Sequence, residues 1–349
     1  MKILIIGGAG FIGTNAAEFY AKQGNKVVIY DNLSRKGTQA NLKYLQTKYP
    51  EKIYFVQGDI TEVNTLHKLE SLMEDSNLIL HLAAQVAVTT SITDPREDFR
   101  INAFGTFNVL ESLRKTKEKT GNNPTLIYSS TNKVYGSMED LGVVDNGDEY
   151  AYENLPTGIT EDRLLDFHSP YGCSKGCADQ YVRDYNRIFK LKTVVLRQSC
   201  IYGKRQFGVE DQGWVAWFTI ANNLNKPITI YGDGKQVRDV LWVEDLIKAY
   251  DMAHQNIETT AGQCYNVGGG PNNTMSLLYL IDHIETENNN KFDKRWDTWR
   301  PGDQKICVMD VSKAKRDFGW EPTISPKEGV SRLNTWVREN IEEITPFFN

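Results

Sequence analysis

The 349-residue chain sets 40 Lys and Arg against 45 Asp and Glu, a formal net charge of −5, which gives no support to a nucleic-acid or membrane-surface role. Hydrophobic residues make up 40% and charged residues 24%, an ordinary globular balance, and the length suits one large α/β unit or a large domain with a smaller partner. Five scattered cysteines suggest neither a disulfide framework nor a zinc ligand set.

In chain order, Lys2 to Ile6 reads as a buried strand, too short for a secretory signal core. A glycine turn follows at Gly7 to Gly13, then a helix from about Thr14 to Gln23 and a second strand from Val27 to Tyr30, ending at Asp31. Ile53 to Gln57 and Leu78 to Leu82 are further strands with a polar helix between them. A helix from Phe104 to Lys115 leads to a strand at Thr125 to Tyr128, and a helix from Ser174 to Phe189 leads to a strand at Lys192 to Leu196. This alternation predicts a parallel sheet with right-handed crossovers. Regularity drops over residues 137–168, which are acidic and rich in Gly, Asn, Asp and Tyr; a segment of that length inside a domain reads as a functional or disordered loop. After about residue 199 short strands, glycines and helices mix, which predicts a smaller second domain interleaved with the first. The expected division is 1–198 with about 238–267 against 199–237 with 268–349. No stretch approaches the roughly 20 apolar residues of a membrane span, and the expected location is the cytoplasm.

Residues 7–13 read Gly-Gly-Ala-Gly-Phe-Ile-Gly, between a predicted strand and a predicted helix. In that context Gly7 permits a tight turn, Gly10 lets backbone approach a pyrophosphate, and Gly13 lets helix and strand pack closely. The helix N-terminus then offers free N–H groups and a positive dipole end to the phosphates. Asp31, at the end of the second strand, can accept from both adenosine ribose hydroxyls and would repel a 2′-phosphate, which favours NAD over NADP; Arg35, close by, tempers that preference. Asp59 and Ile60 follow the third strand, where an adenine edge would lie, and Leu82, Ala83, Ala84 and Gln85 follow the fourth, where small residues let backbone pass close to a cofactor.

Tyr171 and Lys175 are spaced to share one helix face, one turn apart, and upstream a strand ends in Ser129-Ser130-Thr131. A tyrosine acting as a base near neutral pH needs its phenol pKa lowered by roughly 3 units, about 4 kcal/mol. A neighbouring ammonium and a positive nicotinamide ring can supply that field. Lys175 can also bind the nicotinamide ribose, and Thr131 can fix the substrate hydroxyl for proton removal. His81 and His168 are read as strand-end and loop residues without a catalytic role, and Trp214, Trp217 and Phe218 as core or wall.

Together, the glycine turn, Asp31, the Ser-Ser-Thr strand end followed by Val134-Tyr135-Gly136, and Tyr171 with Lys175 resemble the extended short-chain dehydrogenase/reductases over nearly the whole chain. The resemblance implies a Rossmann-type doubly wound α/β sheet with a smaller interleaved C-terminal α/β domain that holds a nucleotide-sugar. It implies Tyr171 as base, Thr131 as its partner and Lys175 beside it. It also adds Phe11, Ile12, Asn32, Ser34, Asn102 and Ser129 to the residues expected around NAD.

Within that family the 4,6-dehydratases carry Asp-Glu directly after the threonine; this chain has Asn132-Lys133, so the pair for water elimination is missing. Ser129 to Gly136, Asp166 to Gly176, Asp211 to Val215 and Gly234 to Asp239 resemble the branch that interconverts CDP-paratose and CDP-tyvelose at C2, and the long segment before Tyr171 fits that branch. The resemblance implies Arg238 and Arg300 as diphosphate clamps and Asp303, in Arg300-Pro301-Gly302-Asp303, as a ribose ligand. It places Asn132, Gln198, Ser199, Gln212, Gly213, Val215 and Tyr231 around the substrate, with no metal. The expected reaction has Tyr171 taking the C2 hydroxyl proton while hydride leaves C2 for NAD; the 2-ketosugar then turns and takes the hydride back on its other face. A UDP-sugar 4-epimerase and a net nucleotide-sugar oxidoreductase of the same family remain alternatives. The expected partner is a CDP-linked sugar, in a homodimer or homotetramer.

Overall fold

A computed structural model describes residues 1–300 and 303–348. Its largest sheet is built from β1 (Lys2–Ile6), β2 (Lys26–Asp31), β3 (Ile53–Gln57), β4 (Leu78–His81), β5 (Thr125–Thr131), β6 (Thr193–Gln198) and β7 (Cys264–Val267). These strands lie side by side in the order β7-β6-β5-β4-β1-β2-β3, all parallel. Parallel sheets are covered on both faces, so their strands are apolar on both; Ile3, Leu4, Ile5 and Ile6 are all fully buried. Ile3 and Ile5 join one apolar cluster with Tyr250 and Trp320, whereas Leu4 and Ile6 join another with Leu110 and Val182. The order reverses between β1 and β4, and a doubly wound sheet opens its ligand crevice at such a point. The glycine turn sits there.

The helix after β1 runs Phe11–Lys22, starting a turn earlier than the sequence suggested. A Cβ on Gly13 would come 2.4 Å from the Gly7 carbonyl oxygen and 2.6 Å from Gly8 Cα. The first helical turn therefore rests directly on the loop, and packing outweighs the poor helix propensity of glycine. Likewise β5 extends through Ser129, Ser130 and Thr131, which register with Leu196, Arg197 and Gln198 of β6, although its last residues are polar.

A smaller set of strands follows residue 199. Val237–Trp242 pairs parallel with Cys200–Tyr202 and Ile306–Cys307 and antiparallel with Thr274–Ser276; Ile228–Tyr231 pairs with Lys294–Asp297. Their core joins Val215, Phe218, Trp242, Leu280, Val330 and Trp336. Trp214 meets Phe218 edge-on and Trp217 stacks on Phe348, as walls and core do. The chain returns to the flank of the large sheet with helix Val243–Gln255.

Residues 137–168 form a short antiparallel hairpin, Val143–Asp145 with Tyr150–Tyr152, and irregular chain that packs on the smaller unit. Met138, Ile159, Leu165 and Phe167 close an apolar cluster with Val134, Tyr135, Cys307 and Met309, and Ile159 N–H donates to the Val308 carbonyl at 2.9 Å. The disordered alternative for this segment is not what the structure shows. Cys307, Val308 and Met309 are more than a hundred residues away, so no local periodicity announces them.

Candidate active site

Gly7 has φ +83°, and a Cβ there would lie 2.5 Å from Ala83 N, so only glycine lets the turn close against the chain leaving β4. Beside it opens a cavity lined by Gly7, Gly10, Phe11, Ile12, Gly13, Asp31, Asn32, Ser34, Arg35, Asp59, Ile60, Leu82, Ala83 and Ala84, all expected around a dinucleotide. Tyr30, Thr38, Gly58, Val86 and Ile101 line it as well, and sequence reasoning missed them. Gln212, expected at the sugar, also lines this cavity, and its Oε1 accepts from Arg35 Nη2. Gly10, the N-cap of the helix that starts at Phe11, makes no side-chain cap bond and lines the cavity with Phe11, Ile12 and Gly13, which brings the N-terminal end of the helix to the cavity wall. Asp31 is buried; its two oxygens accept from Ala9 N–H at 3.0 Å and Leu33 N–H at 2.8 Å, and burial raises its pKa against the pull of those bonds. A glycine-floored cradle, a helix N-terminus and a strand-end carboxylate fit the pyrophosphate and the adenosine ribose of NAD.

Gly13→Val is expected to yield protein that binds no dinucleotide, because the side chain would drive Gly7 off the helix. Nucleotide released on denaturing the purified variant checks this, and a full complement would contradict it.

At the other end, helix Ser169–Phe189 carries Pro170 in its first turn and then Tyr171 and Lys175. Proline suits that position because its missing N–H would have no helical acceptor. Ser91 Oγ accepts from Tyr171 N–H at 3.1 Å, and the Tyr171 phenol is buried close to Thr131. Burial pushes the phenol up to about 12; Thr131 lowers it, nearby Asp98 raises it and Arg35 lowers it. Lys175 Nζ donates to the Ser129 carbonyl at 2.5 Å and lies 4.3 Å over the Tyr128 ring. Burial pulls its pKa down to about 7, against the carboxylates of Asp179 and Asp98. The expected lowering of the phenol by the Lys175 ammonium is not seen in the protein alone: desolvation raises it, and the cation that lowers it is Arg35.

Two supports of this pair were not foreseen. Asp98, 1% exposed, accepts from Ser174 Oγ at 2.5 Å through Oδ2 and from Gln85 Nε2 at 2.9 Å and Asn102 Nδ2 at 3.1 Å through Oδ1. Gln85 and Asn102, both expected at the cofactor, thus tie the chain after β4 to the Tyr171 helix. Asp179, one turn beyond Lys175, forms a forked pair with Arg197 at 3.0 and 3.1 Å and accepts from Ser130 Oγ at 2.8 Å. Its four-residue spacing from Lys175 was a readable signal; the 76-residue separation of Asp98 and Ser174 left none.

His81, buried at the end of β4, pairs with Thr106 Oγ1 at 2.9 Å. Burial first, and Lys175 second, hold its pKa down at about 3. The unfolded chain takes up a proton here near pH 6.5 and the folded chain does not, so this group costs stability as pH falls from 6.5 towards 3. Urea unfolding at pH 7 and pH 5 should show a drop in stability that His81→Gln makes smaller; an equal drop in both proteins would contradict this.

The substrate-side residues gather around strand Val237–Trp242. Arg238 Nη2 donates to Asp303 Oδ1 at 2.6 Å. Arg300 pairs with Asp211 at 3.0 Å and stacks 3.8 Å over the Tyr231 ring; Pro301 and Gly302 lie outside the described residues. Asn132 Nδ2 donates to Cys307 Sγ at 3.1 Å. Gly213, at φ +77°, starts the helix Trp214–Asn223. Three expected contacts turn elsewhere. Gln198 donates to Tyr250 Oη at 2.7 Å, Ser199 bonds Asp239, and the Val215 side chain is in the core of the smaller unit.

Comparison with known proteins agrees with this geometry. The family described as GDP-mannose 4,6 dehydratase matches residues 4–333. A CDP-paratose 2-epimerase from Salmonella typhi is 46% identical over 97% of this chain and 99% of its own length. A UDP-glucuronic acid 4-epimerase from Bacillus cereus, solved with UDP-glucuronic acid and NAD, superposes with a TM-score of 0.81 at 28% identity, over 97% of this chain and 99% of that one. A dTDP-glucose 4,6-dehydratase from Streptomyces venezuelae, solved with NAD bound, gives 0.83 at 25% identity over 99% and 100%.

Proposed function

The chain belongs to the GDP-mannose 4,6-dehydratase family of NAD-dependent nucleotide-sugar enzymes, and from that premise we propose that it inverts C2 of a CDP-linked hexose of the paratose and tyvelose type. The observation that carries the reading is the buried Tyr171 phenol, close enough to Thr131 for that side chain to lower its pKa and one helical turn from Lys175, on a chain with 46% identity to the Salmonella enzyme. Asn132-Lys133, where dehydratases carry Asp-Glu, supports inversion over water loss.

The glycine turn and Asp31 would hold NAD, which when bound would supply a reversible hydride acceptor, so that the cycle would need no outside reductant. Thr131 orients the sugar hydroxyl, and Tyr171 takes its proton and later returns it. Lys175, drawn onto the Ser129 carbonyl, would contribute its charge when protonated and a donor to the nicotinamide ribose. Arg238 and Arg300 anchor the diphosphate while the keto sugar turns.

Residues 1–198 are assigned to cofactor binding, with the return to that unit placed at Val243, and 199–242 with 268–349 to the nucleotide-sugar. No helix among the described residues is long and apolar enough to cross a membrane, and we place the enzyme in the cytoplasm. Phe104, Phe107, Tyr181, Ile188 and Phe189 are exposed around the Gly105–Thr120 and Ser169–Phe189 helices, which supports a homo-oligomer closed over that face.

Incubation with CDP-, UDP- and GDP-linked hexoses tests the reading. C2 inversion of a CDP-hexose with no net change in NADH is expected. Inversion at C4 of a UDP-sugar, or stoichiometric NADH formation, would replace it.

A further inference from the structure

Lys133 is the cation that replaces an acid two residues beyond Thr131, and the mechanism above leaves it without a role. Thr131 Oγ1 accepts from Lys133 N–H at 3.2 Å and so fixes the short 3-10 turn Asn132–Tyr135 that carries it. Its Nζ donates at 3.1 Å to Gln304 Oε1. Gln304 directly follows Asp303, the acceptor of Arg238, and its own amide is held by the Gly136 carbonyl. Two consecutive residues thus hold two cations together. The register agrees: Cys307, which accepts from Asn132, pairs with Arg238 across the strands.

The charges around this point do not balance. Lys133 and Arg238 face one carboxylate, Asp303. The Asp239 carboxylate, on the opposite face of its strand, is occupied by Ser199 Oγ and the Gly270 N–H. Burial, then Arg238, pull the Lys133 pKa down, the mark of a cation short of an anion.

We propose that Lys133 and Arg238 jointly seat the sugar-linked phosphate of the substrate, and that Lys133 thereby sets C2, rather than C4, at the reacting hydroxyl. The sugar chemistry supplies the reason. C2 is bonded to the anomeric carbon, which carries the phosphate, whereas C4 lies across the ring. An enzyme that oxidises C2 must hold that phosphate close to Thr131 and Tyr171, and a cation two residues from Thr131 does so. An acid at that position would repel it. This rests on the CDP-hexose reading.

Calorimetric titration of the NAD-loaded protein with CDP and with CMP tests it. Lys133→Gln is expected to weaken CDP about 10- to 100-fold, as for loss of a charge-assisted hydrogen bond, with CMP unchanged, because CMP lacks the second phosphate. Lys133→Arg should recover most of the CDP affinity, and Lys133→Gln should lower kcat with unchanged NAD content. Equal changes for CDP and CMP, or none for either in a variant that melts like the parent, would overturn the proposal. A parent that prefers UDP would overturn the cytidine reading alone; UDP and UMP would then decide the role of Lys133.

Discussion

Tyr171→Phe should lower kcat by about 10²- to 10⁴-fold, the usual worth of a positioned acid–base group, while NAD stays bound and the protein stays folded. The variant keeps the ring that fills the buried site and loses one oxygen. That oxygen sits close enough to Thr131, Asp98 and Arg35 for each of them to shift its pKa. With burial holding the phenol at about 12, it is protonated at neutral pH in the protein alone. Proton removal from the sugar therefore depends on positive charge brought beside it, and a phenylalanine can neither accept nor return that proton. Steady-state rates with a CDP-hexose, alongside the NAD content of the same preparation, check this. Turnover within about two-fold of the parent would take the base away from Tyr171.

The largest effect on stability is expected from Arg197→Met. Arg197 and Asp179 are 1% and 0% exposed and joined by two hydrogen bonds. The guanidinium continues to Tyr135 Oη at 3.0 Å, and Tyr135 donates to Asn266 Oδ1 at 2.7 Å. Asn266 in turn donates to the Ile159 carbonyl at 2.8 Å. One buried chain of bonds thus runs from the helix of Lys175 to the 137–168 segment. Methionine would leave the Asp179 carboxylate with Ser130 and Gln180 as its donors. Removing one partner of a buried pair typically costs about 3–5 kcal/mol, because the other charge stays buried. Replacing both partners costs less, so Asp179→Asn combined with Arg197→Met should recover part of the loss. Urea unfolding of the NAD-loaded proteins measures both; a loss below about 1 kcal/mol for Arg197→Met would mean that water or another donor neutralises Asp179.

Local chemistry was readable where neighbours in sequence are neighbours in space. The run from Lys2 through Gly13, Asp31 at a strand end, and Tyr171 one turn before Lys175 all follow from short-range rules. The start of the Tyr171 helix was misplaced although Pro170 marked it, and the helix after Gly10 begins early because Gly13 packs on Gly7. Contacts that cross the chain were out of reach. Nothing around Ser174 points to Asp98, and nothing in the acidic 137–168 stretch predicts that Ile159 will bridge to Met309. Gln212 illustrates the same gap: its place in a nucleotide-sugar motif suggested the sugar, whereas the fold turns it to Arg35 and the cofactor cavity.

The central claim is that hydrogen leaves C2 and returns to the same carbon within one closed site. A CDP-hexose labelled with deuterium at C2 and turned over in ordinary water should give the inverted sugar with the label still on C2. Replacement of the label by solvent hydrogen, or inversion by protein stripped of NAD, would contradict it.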